Sequence, residues 1–487
     1  MIAEHDVSLP AVLVRHATEA PGAPAFYYGD YLITYEALTR TVAQAVTYLA
    51  DHGLRPGKLA GIQTPDSLLH VVLTLACEAL GAASMSLSEH EVQQWAEGVV
   101  LCDALFATAN APHPAFVRLD GGTIGAITGV TLSAGWQGRL ATPAPLSPLA
   151  RVIKSSGTTG TPKPIALSPA SVGAILRHRC DLIDRFGPEA RLFVCIYGPV
   201  FYRSLTYVRA MLLRRRMVAF GFTGWAAATA EATPPWFTLA LPGHVERVIA
   251  AFRANRVPRR AAFLDINGAA VDPRTHDLAT RGIADRIVVN YGMNEATGIA
   301  WIDRDGVGTL CPEVEVRIER DPALSTEGRD VGLIAVRAPT LAIGYPGRAN
   351  LTAAHFVDGW FRSGDVGFQP ASDRVVVLGR ADDMLNVGGM KLAPGPLEAE
   401  LCTICDVQAA VLLTTPDGNG VQRLCAVIER DGGAEDPGMR NRVEALLRSH
   451  ADKVQVVYLP EFPRNESGKV RRDALRAMLG TQAAGRP

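Results

Sequence analysis

The chain is expected to fold as an α/β protein. Residues 1–380 form a large multi-subdomain N-terminal domain with parallel and mixed sheets covered by helices, and residues 381–487 a small mobile α+β domain. Three observations predict this. Helical apolar periodicity alternates with short strand-like runs through the first part. The pattern turns β-rich between about residues 310 and 380. Helix and strand signals then restart after Gly379-Arg380-Ala381-Asp382-Asp383. A length of 487 residues also exceeds what one ordinary core holds.

Leu38, Val42, Val46 and Leu49 recur at helical spacing behind a candidate N-cap, Thr34. Leu59-Ala60-Gly61-Ile62 reads as a short buried strand, and a second apolar helix runs from Leu68 to Leu80 and stops at Gly81. The Pro-rich stretch from Ala141 to Pro148 reads as a surface connection, followed by the strand-like Ala150-Arg151-Val152-Ile153. Arg286-Ile287-Val288-Val289-Asn290 is a β-branched strand running straight into Tyr291-Gly292-Met293-Asn294-Glu295. Val314 to Ile318 alternates and Val375 to Leu378 is continuously apolar, both strand patterns. The last ~100 residues read as helix, strand, strand, helix and a final strand, a unit small enough to move.

Composition narrows the function classes. With 48 Lys+Arg against 49 Asp+Glu there is no global field to attract nucleic acid or an anionic membrane. A hydrophobic content of 48% with 46 Gly and 32 Pro fits a loop-rich α/β enzyme, and no apolar run approaches membrane-spanning length. The acidic start, Met1-Ile2-Ala3-Glu4, lacks the basic and apolar segments of a signal peptide, so a cytoplasmic location is expected. Eight scattered cysteines then read as free thiols. The pair Cys402 and Cys405 has metal or redox spacing, but it follows the helical run Leu397 to Leu401 with no second pair, so core packing is expected.

The run Ser155-Ser156-Gly157-Thr158-Thr159-Gly160-Thr161-Pro162-Lys163 has the chemistry of a polyphosphate cradle. Glycines let backbone N–H groups approach phosphate oxygens, hydroxyls add neutral donors, and Lys163 adds a cation. The spacing is not that of the common GK[ST] loop with its following helix. A plain Ser/Gly/Thr connection has the same composition.

Four further islands follow: Tyr291 to Glu295; Gly359-Trp360-Phe361-Arg362-Ser363-Gly364-Asp365; Gly379 to Asp383; and Asn465-Glu466-Ser467-Gly468-Lys469. In this order, over nearly the whole chain, the five resemble the adenylate-forming superfamily of acyl-CoA synthetases, peptide-synthetase adenylation domains and luciferase. The resemblance implies that ATP and a carboxylic acid give an acyl-adenylate and pyrophosphate, with Mg²⁺. A carboxylate is a poor electrophile until its oxygen is esterified to a good leaving group.

By the resemblance, Ser156, Gly157, Thr158, Thr159, Gly160 and the catalytic Lys163 hold the β- and γ-phosphates. Tyr291 flanks adenine opposite Gly268-Ala269-Ala270, with Gly292 and Asn294 in the same nucleotide-binding segment. Glu295 and Thr159 are implied Mg²⁺ ligands; alone, Glu295 reads as a solvated glutamate at a helix start. Asp365 is implied to accept both ribose hydroxyls, although an Asx turn after Gly364 is its bland reading. Arg380 is a second nucleotide contact, and Asp382 marks the hinge. Lys469 is implied to reach in from the small domain and stabilise charge on the carboxylate and α-phosphate. Gly388, Gly389 and Lys391 match the acceptor channel, where a hairpin turn is the alternative.

Tyr197, Phe201 and Tyr202 match the acid pocket, and Tyr202 stands where many CoA ligases have histidine. No aspartate occurs between Cys195 and Thr206 to hold an amino acid's ammonium. The aromatics Tyr197, Phe201, Tyr202, Phe222, Trp225 and Trp236 point to an apolar or aryl acid, or else to core packing. Pro164 and Asn294 also depart from the common pattern, which has glycine and threonine there. With no carrier module before Pro487, a diffusible acceptor is expected: CoA as co-substrate, or an amine in a stand-alone amide synthetase.

Overall fold

The structure, a computed structural model, describes residues 8–95, 102–110, 113–142, 147–154, 163–229, 234–258, 261–322, 324, 330–387, 390–407, 409–416, 422–433, 436–451, 453–464 and 470–484. Its largest sheet has 14 strands. Pro24–Tyr28, Met217–Phe220, Leu192–Cys195, Trp236–Ala240, Phe263–Asn267 and Ile287–Met293 run parallel, side by side in that order. From Ile287–Met293 the sheet continues antiparallel through Thr297–Ile302, Val307–Leu310, Arg374–Arg380, Trp360–Phe368, Gly332–Arg337 and Glu315–Arg320. The sequence reflects this division. Trp236–Ala240 and Phe263–Asn267 are buried at every position, as strands covered on both faces must be, whereas Trp360–Phe368 alternates over its first half.

A second sheet of six strands orders Phe116–Arg118, Ala104–Ala107, Leu59–Gln63, Ala83–Ser86, Arg151–Lys154 and Pro164–Leu167. All but the last are parallel; Arg151–Lys154 and Pro164–Leu167 form an antiparallel pair with Lys154 opposite Pro164. The Gly/Thr run therefore joins a strand to a strand, which sets it apart from a loop that opens a helix. The helix expected behind Thr34 is Tyr35–Asp51, with the Thr34 hydroxyl accepting from Ala37 N. Ser67–Leu80 ends on Gly81 in the left-handed conformation, the cap that glycine adopts without strain.

Beyond Arg380 the order differs from expectation. A two-stranded ribbon, Leu385–Val387 with Met390–Leu392, precedes the helix Pro394–Cys405, and a helix Arg472–Ala484 follows the last strand. The two strands flank Gly388-Gly389 as the hairpin alternative requires, although three residues each carry too little period to place them ahead of the helix. Ala409–Pro416, Gln422–Glu429 and Val454–Leu459 make a separate three-stranded sheet. The apolar cluster around Leu401, Leu412, Ala426 and Val443 draws only on residues from Leu385 onward. Cys405 lies in that cluster and Cys402 packs against it, as core thiols. Lys391–Asp321 (3.4 Å) and Arg274–Asp406 (3.9 Å) are ion pairs joining this region to the rest. Among the described residues no helix is long and apolar enough to cross a membrane.

Candidate active site

The parallel strands end together on one edge of the large sheet, the place where α/β proteins bind ligands. Asn267 pairs in register with Asn290, so the exposed turn Gly268-Ala269-Ala270 and the ring of Tyr291 leave adjacent strand ends. Gly268 has φ +98, a conformation open to glycine at little cost. Two strands away, Tyr197 follows Leu192–Cys195, and its hydroxyl accepts from Leu241 N (3.1 Å) just beyond Trp236–Ala240. Phe201 and His244 approach the Tyr197 ring with centroids at 5.7 and 5.9 Å. His244 gave no sequence signal, being one histidine before a helix. Trp225 and Trp236 instead pack edge-to-face (5.2 Å) in a buried cluster, and Phe222 packs against it, so these three belong to the core.

Tyr291 donates its hydroxyl to Asp365 Oδ2 (2.7 Å), and Arg380 Nη1 reaches Asp365 Oδ1 (2.9 Å) and the Ser363 carbonyl (2.8 Å). Asp365 and Arg380 are direct cross-strand partners, and the Ser363 hydroxyl accepts from Asp365 N. Gly364, between Ser363 and Asp365, has φ +73, where an L side chain is strained. Burial, reinforced by Asp365, holds the Tyr291 phenol well above its ordinary pKa. Each carboxylate oxygen keeps acceptor capacity beyond these bonds.

Residues 294–296 form the turn between Ile287–Met293 and Thr297–Ile302, which corrects the helix-start reading of Glu295. A glutamate in a turn signals no element by itself; the period-2 pairing on either side decides. Glu295 Oε1 accepts the Tyr345 hydroxyl (3.0 Å), and its backbone carbonyl accepts Ala342 N (2.8 Å). Tyr345 was missed by sequence reasoning, though the Gly344-Tyr345 pair after the strand Gly332–Arg337 marks a close turn: Gly344 has φ +140 against Thr352. A Cβ on Gly292 would lie 1.9 Å from Thr297 O, so this glycine is demanded by the register shift of its own hairpin. Asn294 Nδ2 donates to Lys154 O (2.5 Å), tying the Glu295 turn to the last residue before the Gly/Thr run. Lys154 pairs with Glu91; burial opposes both charges, and Lys154 and Ser88 together still hold the Glu91 carboxyl below its ordinary range.

Ser156, Gly157, Thr158, Thr159, Gly160, Gly388, Gly389 and Lys469 lie outside the described residues. Lys163, half-buried, opens the strand Pro164–Leu167. Lys391 sits on the small ribbon, and Asp382 is exposed in the turn Ala381–Asp383 directly after Arg380. Arg464 and Val470, on either side of the Lys469 segment, pair as an isolated bridge. Behind the strand ends lies a polar network that no sequence signal revealed. Arg203 clamps the fully buried Asp265 through Nε (2.7 Å) and Nη2 (2.9 Å), while Tyr207 (2.8 Å) and Asn290 (2.5 Å) donate to the same carboxylate. A groove of about 460 Å³ lined by Pro235, Ala262 and Arg286 opens at the opposite edge of the parallel strands, away from all of these groups.

Parallel strand ends, an acidic turn and a cross-strand Asp–Arg pair thus gather on one face of an α/β sheet. The sequence matches the family model for the AMP-binding enzyme over residues 13–346, and the chain belongs to that adenylate-forming family as an AMP-forming ligase. It is 27% identical over 500 residues to a probable non-canonical nonribosomal peptide synthetase, CymA, of Salinispora arenicola, matching with 96% of its own length and spanning 6% of that protein. It is 26% identical over 498 residues to feruloyl-CoA synthase of an Amycolatopsis species, covering 96% of this chain and 98% of the relative. The fold superposes on the amide bond synthetase McbA of Marinactinospora thermotolerans with a TM-score of 0.74 at 20% identity, covering 96% and 99% of the two chains.

Proposed function

We propose that the chain uses ATP and Mg²⁺ to convert an apolar or aryl carboxylic acid to its acyl-AMP and then passes the acyl group to CoA. The observation that carries this reading is the convergence on one sheet edge of Tyr197, the Gly268 turn, Tyr291 and the Asp365–Arg380 pair, with Glu295 in the adjoining turn. ATP would lie with its adenine between Tyr291 and Gly268–Ala270 and its ribose on Asp365. Its triphosphate would extend past Glu295 to the Gly/Thr loop and Lys163. The residues suit these groups. The Asp365 oxygens have acceptor capacity left for hydroxyl donors, and a carboxylate oxygen of Glu295 is the hard donor that Mg²⁺ takes. The metal would neutralise phosphate charge as pyrophosphate leaves.

Within this reading residues 381–487 form a mobile lid that turns about Asp382. Lys469 is brought in for the first step and Gly388, Gly389 and Lys391 for the second. A second reading, an amine in place of CoA, is favoured by the phenol of Tyr202 where many CoA ligases carry an imidazole. Acid-dependent pyrophosphate release tests the first step, and product formation with CoA and separately with a panel of amines tests the second. An enzyme that forms a thioester with no amide supports the leading reading. Amide without thioester replaces it with the second.

A further inference from the structure

The helix Tyr202–Leu213 begins beside Arg151, Arg179 and Arg209, and among the described residues the cations of this region outnumber the carboxylates paired with them. Lys154 has Glu91, Arg209 has Glu78 (2.6 Å) and Arg203 has Asp265. Arg151 and Arg179 have no carboxylate within ion-pair distance among the described residues, yet they are 5% and 2% exposed. Ser84 and Ser86 hydroxyls take Arg151 Nη1 and Nη2, and Thr206 takes Arg179 Nε (3.0 Å). Arg151 Nε and Arg179 Nη1 are buried without an acceptor. A buried guanidinium without a carboxylate is costly to keep charged. Burial accordingly pushes both groups down to about 10, and both remain charged at neutral pH.

Both cations neighbour Tyr202, a residue of the predicted acid pocket. Arg151 stacks over the Tyr202 ring at 5.5 Å, and Ile153, on the same strand face, packs in the cluster that includes Tyr202. Arg179 shares a helix face with Val172 and Ile175 of that cluster and acts electrostatically on the Tyr202 hydroxyl. Arg151 is three residues before Lys154, so it lies ~10 Å from the foot of the phosphate-side loop at a strand's rise per residue. On the adenylation reading, in which the reacting carboxylate faces that loop, a group that meets Arg151 belongs to the other end of the acid.

We propose that the acid is anionic at both ends: an apolar or aryl body whose distal oxyanion, a carboxylate or phenolate, is held by Arg151 and Arg179 beside Tyr202. This rests on the adenylation reading above and names its substrate class.

The test is acid-dependent pyrophosphate release with matched pairs: benzoate and terephthalate, cinnamate and 4-carboxycinnamate, hexanoate and adipate, with monomethyl terephthalate as the near-isostere whose distal end is uncharged. In at least one pair the doubly anionic acid should exceed its partner in kcat/KM by at least ~100-fold, because buried polar groups left unpaired by the wrong ligand discriminate by up to about 10⁴–10⁵ for a cognate substrate. Arg151→Met and Arg179→Met should each bring that ratio towards one. Folding of each variant is read from its ATP-induced rise in Tm, and should both fail to fold, the wild-type ratio alone decides. Turnover of the singly anionic members with a ratio near or below one overturns the proposal and leaves adenylation standing. An unchanged ratio in both folded variants overturns it too. No pyrophosphate with any acid overturns the adenylation reading and this inference with it.

Discussion

The hydroxyl of Tyr291 donates to Oδ2 of Asp365 at 2.7 Å, joining the last parallel strand to a strand of the antiparallel half, 74 residues away in sequence. One bond thus fixes the predicted adenine ring contact relative to the predicted ribose acceptor. Tyr291→Phe removes the tether and keeps the ring. The expected outcome is a loss of about 1 kcal/mol in unfolding free energy and a modest rise in the KM for ATP. Asp365→Asn removes the negative charge that accepts from both Tyr291 and Arg380 and should raise that KM ~10-fold or more. Denaturant titration and ATP-dependence of pyrophosphate release measure the two effects separately.

Gly292→Ala should destabilise the free protein by about 1–3 kcal/mol, since its Cβ must displace the Thr297 carbonyl. If Gly292 served only to admit nucleotide, the unliganded protein would lose much less. A urea midpoint measured without ATP distinguishes them.

His70 is fully buried against Ser86, and burial first, then Arg151, lowers its pKa to about 3. The folded state therefore keeps this imidazole neutral where the unfolded chain, at ~6.5, binds a proton. Stability from this group is complete above ~6.5 and is lost at about 1.4 kcal/mol per pH unit as pH falls towards the folded value. The His70→Gln variant should show a shallower decline in urea midpoint between pH 7 and pH 5 than the parent.

Removing Asp265 strands Arg203 and leaves the Tyr207 and Asn290 donors without their acceptor. Asp265→Ala should cost about 3–5 kcal/mol, and Arg203→Lys, which keeps the charge but not the fork, should cost less. Thermal unfolding of the two variants gives the order.

Much of this architecture was legible in sequence because periodicity and end signals agreed. Thr34 before Leu38 and Gly81 after Leu80 bound real helices, and the β-branched run into Tyr291 is the strand that ends at the site. The islands at Tyr291, Asp365 and Arg380 meet in space because each sits on a strand of one sheet. Tyr345, His244 and the Asp265 network escaped because they act through contacts between distant segments, and a lone tyrosine or aspartate inside an apolar run has no period to betray it. The aromatic residues divided on burial: Tyr197 and Phe201 line a strand edge, while Trp225 and Trp236 fill a core.

The most direct test of acid activation is acid-dependent ATP–pyrophosphate exchange, run side by side on the parent and on Lys469→Ala over one acid panel. The account predicts exchange in the parent with at least one acid and a loss on the order of 100-fold or more in the variant, as expected when a donor aimed at developing negative charge is removed. Exchange that Lys469→Ala leaves intact, or no exchange with any acid, would contradict it.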